Sequence, residues 1–259
     1  MYTLPQEPSS IARLLDNSFR LFSSGFAKVI GIGLMLAASY IAFAFLTALT
    51  MGVPPDGSGA SPEGFKHNFA AFFAALFGFT LFTFLFYGAI IYRLDNMTHQ
   101  RQDTLLAALG AGLKKLPNML FATILYTLAL AIGMLLLVVP GVILGLSLSF
   151  YWIFIMVDNL GAYASLKASH KLVWGHWWRT LTVYMVPGIL MIIFYALVGM
   201  IGYGLSDKAA TPGTFGVSDI VTNLITGLVM PYFSALAYVV FNDLKLRKSG
   251  DDLAQRLAH

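Results

Sequence analysis

The stretch "LPNMLFATILYTLALAIGMLLLVVPGVILGLSLSFYWIFIMV", residues 116–157, carries no charged side chain. A helix that crosses a bilayer needs about 20 apolar residues, so this run is about twice the length of one crossing. Near its middle, Pro140 cannot donate a helical hydrogen bond and Gly141 permits a tight turn. The run is therefore predicted to form two membrane-spanning helices joined by a short turn at Pro140 and Gly141.

Four further uncharged runs each have the length of a single crossing. The composition agrees with this pattern, because 58% of the residues are hydrophobic and only 11% are charged, unlike a typical soluble domain. The sequence thus predicts an all-α integral membrane protein with six transmembrane helices, at approximately residues 29–52, 68–92, 117–139, 141–158, 180–204 and 219–241. The first apolar run reaches span length, so we expect the first helix to be retained rather than cleaved as a signal peptide.

The distribution of Lys and Arg predicts the orientation, because cytoplasmic loops near span ends collect positive charge. Six spans place both termini on one side, and of the 16 Lys and Arg residues only Lys66 and Lys208 fall on the other side. We therefore expect cytoplasmic termini, in a bacterial inner membrane. The net charge of +4 reflects this topology rather than nucleic-acid binding, which would need one contiguous basic face.

The chain reads as three copies of one unit. Before the first, third and fifth spans lie "LLDNSFRLFSSGFAK", "LLAALGAGLKKLPNM" and "SLKASHKLVWGHWWR", each apolar at helical spacing with basic residues near its end. Each is predicted to be a cytoplasmic amphipathic helix in the membrane interface, followed by a helical hairpin. We expect a single membrane domain, 1–259, with repeat units at approximately 9–97, 102–160 and 161–245 and a cytoplasmic tail at 246–259.

The third of these segments is the candidate functional site. Tryptophan concentrates at membrane interfaces, and Lys and Arg there meet anionic headgroups. The segment is therefore predicted to bind lipid headgroups through six residues: Lys167, Lys171, Trp174, Trp177, Trp178 and Arg179. Ordinary interfacial anchoring by an aromatic belt is the alternative for the same residues.

Three carboxylates lie at the cytoplasmic ends of the second, fourth and sixth spans: Asp95, Asp158 and Asp243. An acidic residue at a helix C-terminus opposes the helix dipole and favours a cationic partner nearby. We therefore expect these residues to form structural ion pairs, with Asp95 and Asp158 tying the hairpins to the interfacial helices.

The sequence offers little for catalysis or metal binding. His170 and His176 are six residues apart, which does not place them on one helical face as a zinc pair would require. Phosphate-binding glycine loops, nucleophile elbows and metalloprotease motifs are absent, and cysteine is absent too. We expect no catalytic residue, no cofactor and no metal, and therefore no enzyme, although an enzyme acting on phospholipid stays open as a third class.

The interiors of the six spans carry no ionisable residue, which argues against ion-coupled transport. Pro187 and Pro231 lie within the fifth and sixth spans, where a helix-breaking proline frees backbone carbonyls that can line a cavity. A passive transporter, channel or lipid-translocating protein is therefore the alternative function, with its cavity near these two residues. A kink that improves helix packing is the structural interpretation of the same prolines.

The stretch from Val139 to Leu181 resembles the membrane domain associated with bacterial glycerophosphoryl diester phosphodiesterases, and the related uncharacterised inner-membrane proteins often called YciC-like. The resemblance is carried by Pro140-Gly141, the apolar segment up to Asp158, and a Leu-x-x-Ser-x-x-Leu-x-x-Gly-x-x-Trp pattern formed by Leu166, Ser169, Leu172, Gly175 and Trp178. In such phosphodiesterases the catalysis belongs to a separate soluble domain. The resemblance therefore implies a membrane module without the hydrolase.

These observations lead to one expected function: a non-enzymatic polytopic inner-membrane protein acting in envelope or lipid homeostasis. Its expected partners are membrane lipids, above all anionic phospholipid, and a membrane protein. The oligomeric state is left open.

Overall fold

The structure is a computed structural model that describes residues 3–50, 62–205 and 215–257. All regular secondary structure in these ranges is helical, as the sequence predicts. The helices are α1 (Ile11–Thr50), α2 (Pro62–Thr98), α3 (Leu105–Leu136), α4 (Val138–Leu148), α5 (Tyr151–Val157), α6 (Ala162–Val173), α7 (Trp177–Leu205) and α8 (Val217–Leu257). Lys208 and the last two residues of the predicted tail lie outside the described residues.

Six helical segments of the described chain are long and apolar enough to cross a membrane. They are Ile11–Thr50, Phe69–Thr98, Leu105–Leu136, Val138–Val157, Trp177–Val198 and Val217–Gly250. The predicted number of spans is therefore confirmed.

The break inside the long uncharged run lies at Leu137, three residues before the predicted turn. Leu137 has extended backbone angles and separates the end of α3 from the start of α4. Pro140 and Gly141 are instead part of α4. The prediction placed the turn wrongly because proline is tolerated in the first turn of a helix, where its missing N–H would have no partner.

Gly141 nevertheless serves the packing of α3 against α4. A Cβ atom added to Gly133 would lie 3.0 Å from the Cα atom of Gly141, and one added to Gly141 would lie 3.0 Å from the backbone nitrogen of Met134. Small residues at such a crossing let two backbones approach closely.

The predicted fourth span consists of two helices, because the chain breaks at Ser149 and Phe150 between α4 and α5. The Ser169 hydroxyl of α6 bridges this break. It accepts a hydrogen bond from the backbone N–H of Phe150 at 3.0 Å and donates one to the carbonyl of Ser147 at 2.8 Å. Buried backbone groups freed from a helix need such partners, so α6 stabilises the irregular span.

Only one of the three predicted interfacial segments is a separate helix. Residues 14–28 belong to α1 and residues 105–119 begin α3, and both helices continue into the following span. A continuous helix satisfies every backbone group internally, which a break near the bilayer would not. The third segment differs because α6 ends at Val173 and α7 begins only at Trp177.

The helices are grouped into two compact units, and the first comprises Met1–Val29, Phe84–Val186 and Pro231–His259. At its centre, residues 235–241 of α8 are buried at every position, and a helix that is apolar all round belongs in a core. The Phe241 ring packs edge-on against Phe154 of α5 at 4.8 Å. Tyr232 packs in the same way against Phe22 of α1 at 6.0 Å.

The second unit comprises Ile30–Thr83 and Pro187–Met230. Two of its helices approach closely at Ala37 and Gly227, where a Cβ atom on Gly227 would come within 2.5 Å of the backbone of Ala37. Phe43 and Phe79 stack at 4.3 Å between ring centroids. Neither unit coincides with one of the three repeat units, which stay a prediction.

Candidate functional site

Helix α6 has one buried and one exposed face. The positions that are exposed include Tyr163, Lys167 and Lys171. The buried positions are Ala162, Ser165, Leu166, Ser169, Leu172 and Val173. Residues three or four positions apart share a helix face. The apolar side chains Leu166 and Leu172 therefore pack inside the protein, and the two lysines project outwards.

A tight turn connects α6 to α7. Trp174 has extended backbone angles, and Gly175 has a positive φ of 92°, a conformation that glycine adopts without steric cost. A Cβ atom on Gly175 would lie 3.8 Å from Nζ of Lys248 on α8. The turn thus brings the tryptophan-rich segment close to the C-terminal part of α8.

An open groove of about 670 Å³ lies where α5, α6 and α8 meet. Its lining combines apolar and aromatic side chains with three ammonium groups and one imidazole. The lining residues are Phe154, Ala168, His170, Lys171, Leu172, Trp174, Lys245 and Lys248.

Lys245 is held in place at the edge of this groove. Its Nζ atom donates hydrogen bonds to both carboxylate oxygens of Asp158, at 2.7 and 2.9 Å. It also lies 4.5 Å from the ring centroid of Phe241 and 5.5 Å from that of Phe154, within the range of cation–π attraction. The carboxylate and the two rings therefore fix the position of the ammonium group.

Lys171 and Lys248 have a different environment. Neither forms an ion pair with a carboxylate whose side chain the structure describes. Lys167, four residues before Lys171 on the same helix, is exposed like it but does not line the groove. The groove therefore has an excess of positive charge among its described residues.

The six residues predicted to bind headgroups lie in different places. Lys171 and Trp174 line the groove, and Lys167 lies outside it. Trp178 is 74% exposed and packs edge-on against the half-buried Trp177 at 4.5 Å. The structure does not bring Arg179 to this group.

Arg179 instead belongs to a buried cluster around Asp243, whose side chain is 4% exposed. One oxygen of Asp243 lies 3.1 Å from Nη2 of Arg179 and 2.9 Å from Nε of Arg247, and the other accepts from the backbone N–H of Ser9 at 2.7 Å. Both arginines also donate to the carbonyl of Ser9. This Asp243 cluster ties the N-terminal segment to α7 and α8.

The other two carboxylates have partners outside the predicted interfacial helices. Asp158 pairs with Lys245 of α8. Asp95 accepts a hydrogen bond from the Tyr238 hydroxyl at 2.8 Å and lies 3.5 Å from Arg101. These contacts connect the ends of α2 and α5 to α8, the central helix of the first unit.

One buried charge was missed by the sequence reasoning. The Asp103 side chain is 0% exposed and lies 3.0 Å from Nε of Arg93 and 3.7 Å from Nζ of Lys28. Arg93 also donates to the backbone carbonyl of Lys28. Asp103 stands in a short polar loop before α3, where nothing in the sequence separates a buried carboxylate from an exposed one.

The described residues offer no cluster of three or more His, Asp or Glu side chains that could hold a metal ion. The imidazole of His170 instead packs against the Trp174 ring at 5.0 Å. Pro187 and Pro231 are both buried inside helices that continue through them.

Six apolar helices and a basic, tryptophan-containing groove define a multi-pass helical membrane protein. The model of the Uncharacterised protein family (UPF0259) matches residues 61–239. The chain belongs to this family.

Several bacterial relatives are similar over much of their length. A UPF0259 membrane protein of Pectobacterium carotovorum is 30% identical over 172 residues, which are 66% of this chain and 65% of that protein. A relative from Photorhabdus laumondii is 22% identical over 76% of this chain and 75% of its own length, and one from Serratia proteamaculans is 27% identical over 74% and 75%. The chain thus spans slightly less than two thirds of the Pectobacterium protein. No solved structure matches this chain.

These matches agree with the resemblance to uncharacterised bacterial membrane proteins. They do not show the relation to the membrane domain of glycerophosphoryl diester phosphodiesterases, which stays a prediction.

Proposed function

We propose that this protein is a non-enzymatic component of the bacterial inner membrane, with both termini cytoplasmic, that binds anionic phospholipid and thereby serves envelope or lipid homeostasis. The observation that carries the proposal is the exposure of Trp174 and Trp178, at 58% and 74%, beside the exposed Lys167 and Lys171 at the start of an apolar span. Tryptophan and lysine in this arrangement match the headgroup layer of an anionic membrane surface.

Exposed apolar side chains support contact with lipid in the first unit as well. Phe19 and Phe26 of α1 are 60% and 46% exposed, and Leu106 of α3 is 80% exposed. All three lie in segments predicted to be interfacial. Phe and Leu side chains on an interfacial helix insert at the boundary between headgroups and acyl chains.

Transport is not part of the proposal. Pro187 and Pro231 are buried in continuous helices, which favours the packing interpretation of these prolines. A proline inside a membrane helix is tolerated where neighbouring groups satisfy the freed carbonyl.

The test is native mass spectrometry of the protein released from its membrane in mild detergent. The variant Lys167→Gln/Lys171→Gln removes two exposed charges beside the tryptophans, while Arg20→Gln/Lys114→Gln removes two exposed charges elsewhere in the first unit. Arg179 is left intact because it belongs to the Asp243 cluster.

We expect the parent and the Arg20→Gln/Lys114→Gln control to retain anionic phospholipid, and the Lys167→Gln/Lys171→Gln variant to lose most of it. A parent that retains no more anionic than zwitterionic lipid would refute the proposed function. Equal retention by all three proteins would show that the tryptophan-rich segment only anchors the helix.

A further inference from the structure

We infer that the groove between α5, α6 and α8 is a discrete site for one phospholipid whose headgroup carries two negative charges. The inference rests on the proposed function and goes beyond it, because it assigns the lipid to a defined site and a headgroup class. It also brings in Phe154, Lys245 and Lys248, which sequence reasoning did not assign to lipid binding.

The charges of the groove set the headgroup class. Lys171, Lys245 and Lys248 contribute three positive charges, and Asp158 offsets one of them through its ion pair with Lys245. The three lysines and Asp158 together therefore leave an excess of two positive charges. A phosphomonoester carries about −1.5 to −2 at pH 7, and a lipid with two phosphodiesters carries a similar charge. A zwitterionic headgroup has no net charge to match the groove.

Lys245 makes the site preorganised. An ammonium group has three N–H donors, and Asp158 accepts two of those of Lys245. The third donor remains for a phosphate oxygen, and the side chain is already fixed by Asp158, Phe241 and Phe154. Binding therefore costs little side-chain entropy at this position, which raises affinity.

The apolar part of the lining favours a lipid over a free phosphate ion. Phe154, Leu172 and Trp174 line the same groove as the three ammonium groups. Its volume of about 670 Å³ falls among typical small-molecule sites, which span about 300–1,000 Å³. The groove thus has room for a glycerophosphate headgroup together with the first part of an acyl chain.

Helix α6 supplies a matched pair of variants to test this inference. Lys171 lines the groove, whereas Lys167 is also exposed on the same helix but lies outside it. Lys171→Gln and Lys167→Gln therefore remove the same charge from neighbouring positions. Lys248→Gln removes a groove charge from the opposite side, on α8. None of the three lysines forms an ion pair with a described side chain, so the variants are expected to fold. Midpoints of thermal unfolding equal to that of the parent would verify this.

Delipidated protein is titrated in detergent with cardiolipin, phosphatidate, phosphatidylglycerol or phosphatidylethanolamine, and bound lipid is counted by native mass spectrometry. Inorganic phosphate is added as a competitor. We expect one molecule of either doubly charged lipid to bind the parent and Lys167→Gln, and to bind Lys171→Gln and Lys248→Gln about tenfold more weakly, as the loss of one charge-assisted hydrogen bond predicts. Phosphatidylglycerol binds more weakly, phosphatidylethanolamine least, and inorganic phosphate does not displace the lipid.

Each contrary outcome rejects a definite part of the inference. An equal loss of lipid affinity in Lys167→Gln and Lys171→Gln would reject the discrete site and indicate a diffuse basic surface. The proposed function would not be affected by that outcome. Equal binding of phosphatidylglycerol and the doubly charged lipids would reject the headgroup class. Displacement by inorganic phosphate would reject the acyl-chain part of the site. A parent that binds no anionic lipid would reject the proposed function as well.

Discussion

The Asp243 cluster offers the sharpest prediction about stability. Replacing Asp243 with Asn keeps the size of the side chain and the acceptor for the Ser9 N–H, but removes the negative charge between Arg179 and Arg247. Both arginine side chains are largely buried, at 20% and 25% exposure. The variant therefore leaves two poorly solvated positive charges facing each other.

The magnitude follows from the cost of breaking a buried ion pair. Removing one partner of such a pair costs about 3–5 kcal/mol, because the remaining charge is left uncompensated. The residual exposure of the two arginines places Asp243→Asn at about 3 kcal/mol, the lower end of that range. At about 2–4 °C per kcal/mol for a chain of this size, the midpoint of thermal unfolding falls by about 6–12 °C.

The assay is thermal unfolding in detergent, followed by intrinsic tryptophan fluorescence. Asp16→Asn is the control, because Asp16 forms an exposed i,i+4 ion pair with Arg20 at 2.9 Å, and such pairs contribute about 0.3–0.5 kcal/mol. Adding Arg247→Gln to Asp243→Asn is expected to recover part of the loss, since one uncompensated charge is removed.

The shift expected for a buried pair is much larger than that of the Asp16→Asn control. A thermal midpoint of Asp243→Asn within about 2 °C of this control would therefore refute the burial of a functional ion-pair cluster at Asp243. A double variant that loses the full sum of the two single effects would refute the coupling between Asp243 and Arg247.

Three further substitutions test the packing around the groove and in the second unit, each by the same unfolding assay. Gly175→Ala is expected to destabilise by about 1 kcal/mol, because a φ of 92° is sterically unfavourable for alanine; a midpoint equal to that of the parent would contradict the requirement for glycine at this turn. Ser169→Ala leaves the Phe150 N–H without its partner and should cost about 2 kcal/mol, and Ser169→Thr should retain more stability than Ser169→Ala if the hydroxyl bridge is the cause. Gly227→Ala places a methyl group against the backbone of Ala37 and should cost about 1–3 kcal/mol by overpacking, whereas a neutral effect would show that the two helices can separate freely.

The six spans could be predicted from the sequence because bilayer thickness imposes a length on each apolar run, and charge marks where each run ends. The turn at Leu137 could not be located, since nothing in "LLLVVPG" distinguishes Leu137 from its apolar neighbours. Pro140 suggested the break, but a proline in the first turn of a helix is as favourable as one in a loop. The break at Phe150 was equally hidden, because its stabilising partner, Ser169, lies on another helix.

The candidate site was only partly accessible to sequence reasoning. Lys171 and Trp174 stand in one short segment, and their chemistry is visible there. Phe154 and Lys245 are far from each other in the sequence. They join the site only because α5 and α8 pack together with α6. In the sequence, nothing distinguishes Arg179 from the basic residues near it. The structure shows that the charge of Arg179 pairs with the buried Asp243 inside the protein.

The central claim is that this membrane protein selects anionic phospholipid. The most direct measurement compares the phospholipids that remain with the protein, extracted from its own membrane in a polymer-bounded disc, with those of the bulk membrane. The account predicts that anionic phospholipid is enriched around the parent and that the enrichment falls in Lys167→Gln/Lys171→Gln. A composition equal to that of the bulk membrane, in both parent and variant, would contradict it.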